Sequence, residues 1–120
     1  MIKNYRDLIV WGKARELVKS VYILTKNFPK EEVYGLTAQL KRAVISVPSN
    51  IAEGHSRGGT KDYIHFISIA IGSLAEVETQ ILLSVDLEFI KESDSTEIIG
   101  QIHALQRMLH KLRTSLREKL

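Results

Sequence analysis

The chain has no cysteine among its 120 residues, which excludes a disulfide framework and any thiolate-based redox or metal chemistry. It has only two prolines and seven glycines, so little in it breaks regular structure. A long hydrophobic run is missing from the N-terminal region, where the apolar stretch Leu8 to Trp11 soon meets Lys13 and Arg15. That pattern is neither a signal peptide nor a membrane span. A soluble, cytoplasmic protein without membrane association is the expectation. Strong charge of one sign is also lacking, since the net charge is +3, a weak argument for nucleic acid by itself.

An apolar share of 44% in 120 residues supports one domain with a real core, spanning residues 1–120, and not two. Its pattern is helical. Trp11, Ala14, Leu17, Val18, Val21 and Leu24 step by three and four, predicting a helix over about 8–28 that Pro29 ends. A second is expected over about 35–55, running through an interruption at Pro48 and stopping at the glycines between Gly54 and Gly59. Thr60 is the expected N-cap of a third over about 61–88. This third helix carries two apolar stripes: Ile67, Ala70, Leu74, Val77 and Ile81, and then Ile64, Ile71, Ala75, Leu82, Val85 and Phe89. It needs neighbours on more than one side. The fourth, over about 94–117, starts with Asp94 as N-cap and Glu97 as its N3 acid, and repeats Ile98, Ile102, Leu105, Leu109, Leu112 and Leu116 as a coiled-coil-like seam. Short connections between four such helices predict an all-α, antiparallel up-down-up-down bundle.

Residues 46–57, SVPSNIAEGHSR, set Pro48, Asn50 and Glu53 into a segment whose Leu40, Ala43, Val44, Val47 and Ile51 recur as a packing face. Such local conflict marks strain or function. Asn50 and Glu53 on the second helix are expected to meet Glu76, Thr79 and Gln80 of the third in a hydrogen-bonded network that fixes packing register. No Glu-x-x-His pair occurs, so a di-iron site and any other metal or cofactor are not expected. Gly54, Gly59, Thr60 and Lys61 nearly spell a P-loop, but the Lys follows the Thr and a helix, not a strand, precedes the loop. What remains is a helix N-terminus beside Arg57 and Lys61. Ser46, Ser49 and Ser56 near His55 show no base-plus-orienter arrangement, and His103 and His110 lack the spacing to grip one ion. No catalytic residues are assigned.

Charge is unevenly distributed. Residues 1–30 hold seven Lys or Arg against two acids, and residues 61–90 hold one Lys against five. On an up-down path, the end bearing the N-terminus, the second connection and the C-terminus gathers Lys3, Arg6, Lys13, Arg15, Arg57, Lys61, Arg113, Arg117 and Lys119. The other end gathers Glu31, Glu32, Asp86, Glu88, Glu92, Asp94 and Glu97, diluted by Lys26, Lys30 and Lys91. A basic end suits a phosphate backbone, whereas solvated helix ends are the plain alternative. Trp11, Tyr5, Tyr22, Tyr34 and Tyr63 are candidates for stacking on bases or for core and interface packing.

Three segments, YRDLIVW at Tyr5 to Trp11, FPKEEVYGLTAQLKRAVISVPSNIAEGHSR at Phe28 to Arg57, and GSLAEVETQ at Gly72 to Gln80, resemble the bacterial four-helix-bundle proteins encoded in intervening sequences of 23S ribosomal RNA genes. The resemblance spans about residues 5–90. It implies a homopentamer, with Pro48, Asn50, Glu53, Gly54, Glu76 and Gln80 as structural motif residues and Arg57 the most exposed to a partner. A related branch is the accessory proteins of diversity-generating retroelements, basic pentameric barrels that bind nucleic acid and a reverse transcriptase. The expectation is a non-enzymatic oligomeric module that binds RNA or DNA through Arg6, Lys13, Arg15, Arg57, Lys61, Arg113, Arg117 and Lys119. A protein-interaction scaffold without nucleic-acid binding is the second reading, and an enzyme using Glu53 and Glu76 the third.

Overall fold

Apolar side chains at helical spacing find their partners in four helices: α1 (Ile9–Thr25), α2 (Leu36–Arg57), α3 (Thr60–Asp86) and α4 (Glu92–Arg117). The computed structural model describes residues 4–120; Lys3 lies outside the described residues. Among those described there are helices and no strands. Each helix packs against its neighbour in the chain and α1 closes on α4, while the backbones of the diagonal pairs stay apart. This is the up-down-up-down bundle, 45 × 23 × 20 Å. Leu17, Val21, Leu40, Val44, Val47, Ile51, Ile67, Leu74, Val77, Ile81, Ile102 and Leu109 are fully buried along its axis. Contact is most extensive between α2 and α3 and least between α1 and α4.

The helix ends depart from the sequence expectation for local reasons. α1 stops at Thr25, whose hydroxyl donates to the Tyr22 carbonyl, and Phe28 turns back into the core against Phe89. Thr60 is the first residue of α3 and not its cap; Gly59 occupies the cap position with no side-chain bond. Asp94 is likewise not the N-cap of α4. The helix begins two residues earlier, at Glu92, and Asp94 Oδ2 accepts from the Lys91 backbone N–H at 3.1 Å, the reach-back of an N3 acid.

At the far end of α3 the Phe89 N–H donates to Ser84 O and the Glu88 N–H to Val85 O, the paired bonds of a Schellman turn. That turn needs a left-handed residue, and Glu88 holds it at φ 63°. A side chain there costs about 1–2 kcal/mol, which glycine avoids at a smaller entropic cost. Glu88→Gly is therefore expected to raise unfolding free energy by up to about 1 kcal/mol in urea titration. An unchanged or lowered midpoint would refute this account of the turn.

Pro48 does not interrupt α2, which runs unbroken from Leu36 to Arg57. Next to it, Asn50 Nδ2 donates to the Ser46 carbonyl at 2.7 Å and to Ser46 Oγ at 2.8 Å, and Ser46 Oγ bonds Ser73 Oγ of α3 at 2.8 Å. A serine-asparagine link thus joins α2 to α3. The expected network through Glu53, Glu76, Thr79 and Gln80 does not form. Glu53 and Glu76 are exposed, Thr79 bonds back to the Ala75 carbonyl, and the buried Gln80 Oε1 finds no donor among the described residues. Carboxylates stay in water because burying them unpaired costs far more than burying hydroxyls.

Candidate nucleic-acid interface

The antiparallel path sets the start of α1, the connection from α2 to α3 and the last turn of α4 at one end. A 3-10 turn over Tyr5–Asp7 packs on both α1 and α2 there. Asn4 caps this turn by accepting from the Arg6 backbone N–H, and Arg6 Nε also donates to Asn4 Oδ1. The α2 to α3 connection is tight because Gly58 adopts φ 82°, which a side chain would strain.

Of the basic residues expected there, the structure gathers some and disperses others. Arg57 bonds Glu53 at 3.0 Å and its guanidinium lies 5.1 Å from the Phe66 ring centroid. The pair is exposed, so it holds the arginine in place without much stability. Arg113 spans to α3, donating to Ser68 Oγ at 3.1 Å, and its other nitrogen lies 3.1 Å from His110 Nδ1. Lys61, Arg117 and Lys119 are exposed and make no ion pair among the described residues. Lys13 sits apart from them, opposite Gly100 and Ala104 in the α1–α4 groove and 3.9 Å from Glu16. Arg15 stacks 5.0 Å over the Trp11 ring.

Gly54 sets how closely the two helices of this end approach. A Cβ at that position would lie 2.9 Å from Phe66 Cβ and 3.0 Å from Tyr63 Cδ1. His55 meets Tyr63 edge-on at 5.7 Å, and burial pushes the Tyr63 phenol above its ordinary pKa. This explains why the AEGHSR segment combines one bare backbone position with polar residues. The histidines His103 and His110 are exposed; His103 Nε2 lies 2.8 Å from Glu78 Oε2. No group of three metal-ligating side chains occurs among the described residues.

Sequence reasoning missed the α2–α3 groove of about 240 Å³ lined by Gln39, Arg42, Ser46, Ser73, Glu76 and Gln80. Apolar surface is also left exposed: Leu82, of the second α3 stripe, is 50% exposed, Leu87 56% and Tyr34 94%, with Val33, Ile69 and Leu83 also open. α3 is long and apolar enough to cross a membrane by length and composition. The bundle buries its first stripe completely, packs Ile64, Ile71, Val85 and Phe89 of the second partly against the core and leaves Leu82 open.

Residues 6–111 match the family model described as 23S rRNA-intervening sequence protein. A crystal structure of a protein of unknown function from the S23 ribosomal protein family of Bacteroides thetaiotaomicron superposes with a TM-score of 0.81 at 21% identity, covering 88% of this chain and 98% of that one. At that identity the likeness bears on the fold. Comparison with curated proteins gives no match.

Proposed function

Because the chain belongs to the 23S rRNA-intervening sequence protein family, we propose that it acts as a non-enzymatic, ring-forming helical module that holds RNA or DNA through its basic end. The observation that carries this reading is the set of exposed cations there, Lys61, Arg117 and Lys119, that no carboxylate among the described residues neutralises. Free cations release counterions when they meet phosphates, which drives sequence-independent binding. Glu53 and Glu76 do not converge on a cleft, which speaks against the enzyme reading. Anisotropy of a labelled RNA and a DNA comparator, titrated at several salt concentrations, tests the proposal. Salt-dependent binding supports it; no binding at low salt by a well-formed oligomer overturns it.

Assembly rests on the apolar surface left open on α3. Leu83 lines a groove on the α2 side with Gln80, and Leu82 one on the α4 side with Val85 and Ser95; both leucines are open, and a second copy would cover them. In a cyclic ring, protomers place their basic ends on one side and multiply weak contacts; the homopentamer is the proposed closure. Joint replacement Leu82→Glu and Leu83→Glu is expected to reduce the light-scattering mass to the 13.6 kDa protomer with helicity retained, because neither side chain is in the core. A mass unchanged from the parent would rule out this face. The scaffold reading draws on Tyr34, Val33 and Leu87, exposed at the acidic end; it predicts a ring that binds protein and leaves RNA free.

A further inference from the structure

Lateral charge, not only end-to-end charge, divides this bundle. Within α1 the one acid is Glu16, and within α2 it is Glu53, whereas α3 holds Asp62, Glu76, Glu78 and Asp86 against a single lysine. Glu16 lies on the α4 side of α1, lining the groove with Gly100, Gln101 and Ala104. Glu53 is occupied by Arg57. The flank where α1 meets α2 therefore carries no free carboxylate from either helix.

That flank is a line of cations. Arg15, Lys19 and Lys26 are exposed at positions four and seven residues apart, with Tyr22 between the last two, so all four share one helical stripe. Lys41 reaches across from α2, its ammonium 4.8 Å from the Tyr22 ring centroid, which fixes the stripe against α2. Arg15 is held over Trp11. Two of the four cations are thus positioned by aromatic faces, which orient a charge without cancelling it. Arg15 to Lys26 spans about 16 Å at 1.5 Å per residue, the axial length of roughly five base pairs at about 3.4 Å each.

From this we infer that the α1–α2 flank, through Arg15, Lys19, Lys26 and Lys41, is a phosphodiester-binding surface on which a nucleic-acid backbone runs lengthwise along the bundle. The inference rests on the nucleic-acid reading of the preceding subsection and moves its main contact from the end to the side. Residues at the basic end then serve as the strand's exit, with Arg15 common to both.

The test compares two charge reversals in the full chain, Lys19→Glu with Lys26→Glu on the flank and Lys61→Glu with Arg117→Glu at the end. The probes are a labelled mixed-sequence single-stranded RNA and a duplex DNA of equal length. The flank pair is expected to weaken binding by about tenfold or more at low salt and to lower the slope of log K against log salt by about 2, the loss of two phosphate contacts. The end pair should weaken it less. The neutral pair Lys19→Gln with Lys26→Gln should give an intermediate loss with helicity and mass unchanged, which separates charge from misfolding. If the end pair abolishes binding and the flank pair does not, this inference fails and the basic-end reading stands. If the parent protein binds neither probe, both fail. If flank reversal breaks the oligomer and leaves affinity per protomer intact, the flank is a contact between copies and the inference is overturned.

Discussion

Leu74→Ala is expected to cost about 2–5 kcal/mol of unfolding free energy, the largest effect of any single substitution considered for this bundle. Leu74 is fully buried at the middle of α3, within the stripe Ile67, Ala70, Leu74, Val77 and Ile81, every member of which has no exposed surface. The two interfaces of α3, with α2 and with α4, are the most extensive in the bundle, so a void there withdraws contacts from both at once. Collapse into the void is limited by Ala43 and Ala70, already small, and by the Ser46 to Ser73 bond, which holds α2 and α3 at their spacing. The cost belongs near the upper part of the range for that reason. Urea unfolding followed by circular dichroism reads it directly. A loss under about 1 kcal/mol would mean that the core repacks freely and that the stripe is not the structural spine.

Gly54→Leu tests the opposite fault, too much volume. Leucine favours helix by roughly 1 kcal/mol over glycine, so an open site would be stabilised. Here the added Cβ alone would stand 2.9 Å from Phe66 Cβ and 3.3 Å from the Tyr63 carbonyl oxygen, neither of which is the loose end of a side chain. The two helices have to separate, and the expected outcome is a net loss of about 2–3 kcal/mol. Trimming the ring does not help, because the clash is with Cβ: Phe66→Leu should fail to rescue the variant. Rescue by Phe66→Leu, or a stabilised Gly54→Leu, would show that α2 and α3 are free to move apart at this point.

Periodicity made most of the architecture legible. The α4 seam from Ile98 to Leu116 is readable because each step of three or four returns the chain to one face; of its six members only Leu112 is left partly open. The second stripe of α3 was equally visible as a pattern, but its meaning was not. Ile64, Ile71 and Val85 are half-buried while Leu82 is open, and only the placement of α2 and α4 determines which members are covered. Capping was misread at Thr60 and Asp94 because a residue's suitability for a cap does not specify its register; a shift of one or two positions moved each inside its helix.

The candidate site shows the same division. Composition located the basic residues near one end, since an up-down path fixes which connections lie together. It did not reveal that Lys13 turns toward α4 while Arg15 turns toward Trp11, or that Arg57 is already engaged by Glu53. Those facts depend on helix rotation, which side chains of other helices determine. The Ser46, Asn50 and Ser73 link was hidden for the same reason: serines 27 residues apart become neighbours only once α2 and α3 are in register.

The uneven packing of the four helices gives the molecule a direction in which it opens. Local fluctuations begin where least is buried, and here that is the α1–α4 seam, which is held by the Gln101 to Ser20 bond at 3.3 Å and leaves Gln101 Oε1 buried without a donor among the described residues. Opening along that line would peel α1 and α4 outward and leave the α2–α3 hairpin closed as one cooperative unit, with Gly54 still against Phe66 and Ser46 still bonded to Ser73. Amide protons of α2 and α3 would then exchange only on global unfolding, and those of α1 and α4 sooner. The motif-bearing hairpin is the part of this chain that lets go last.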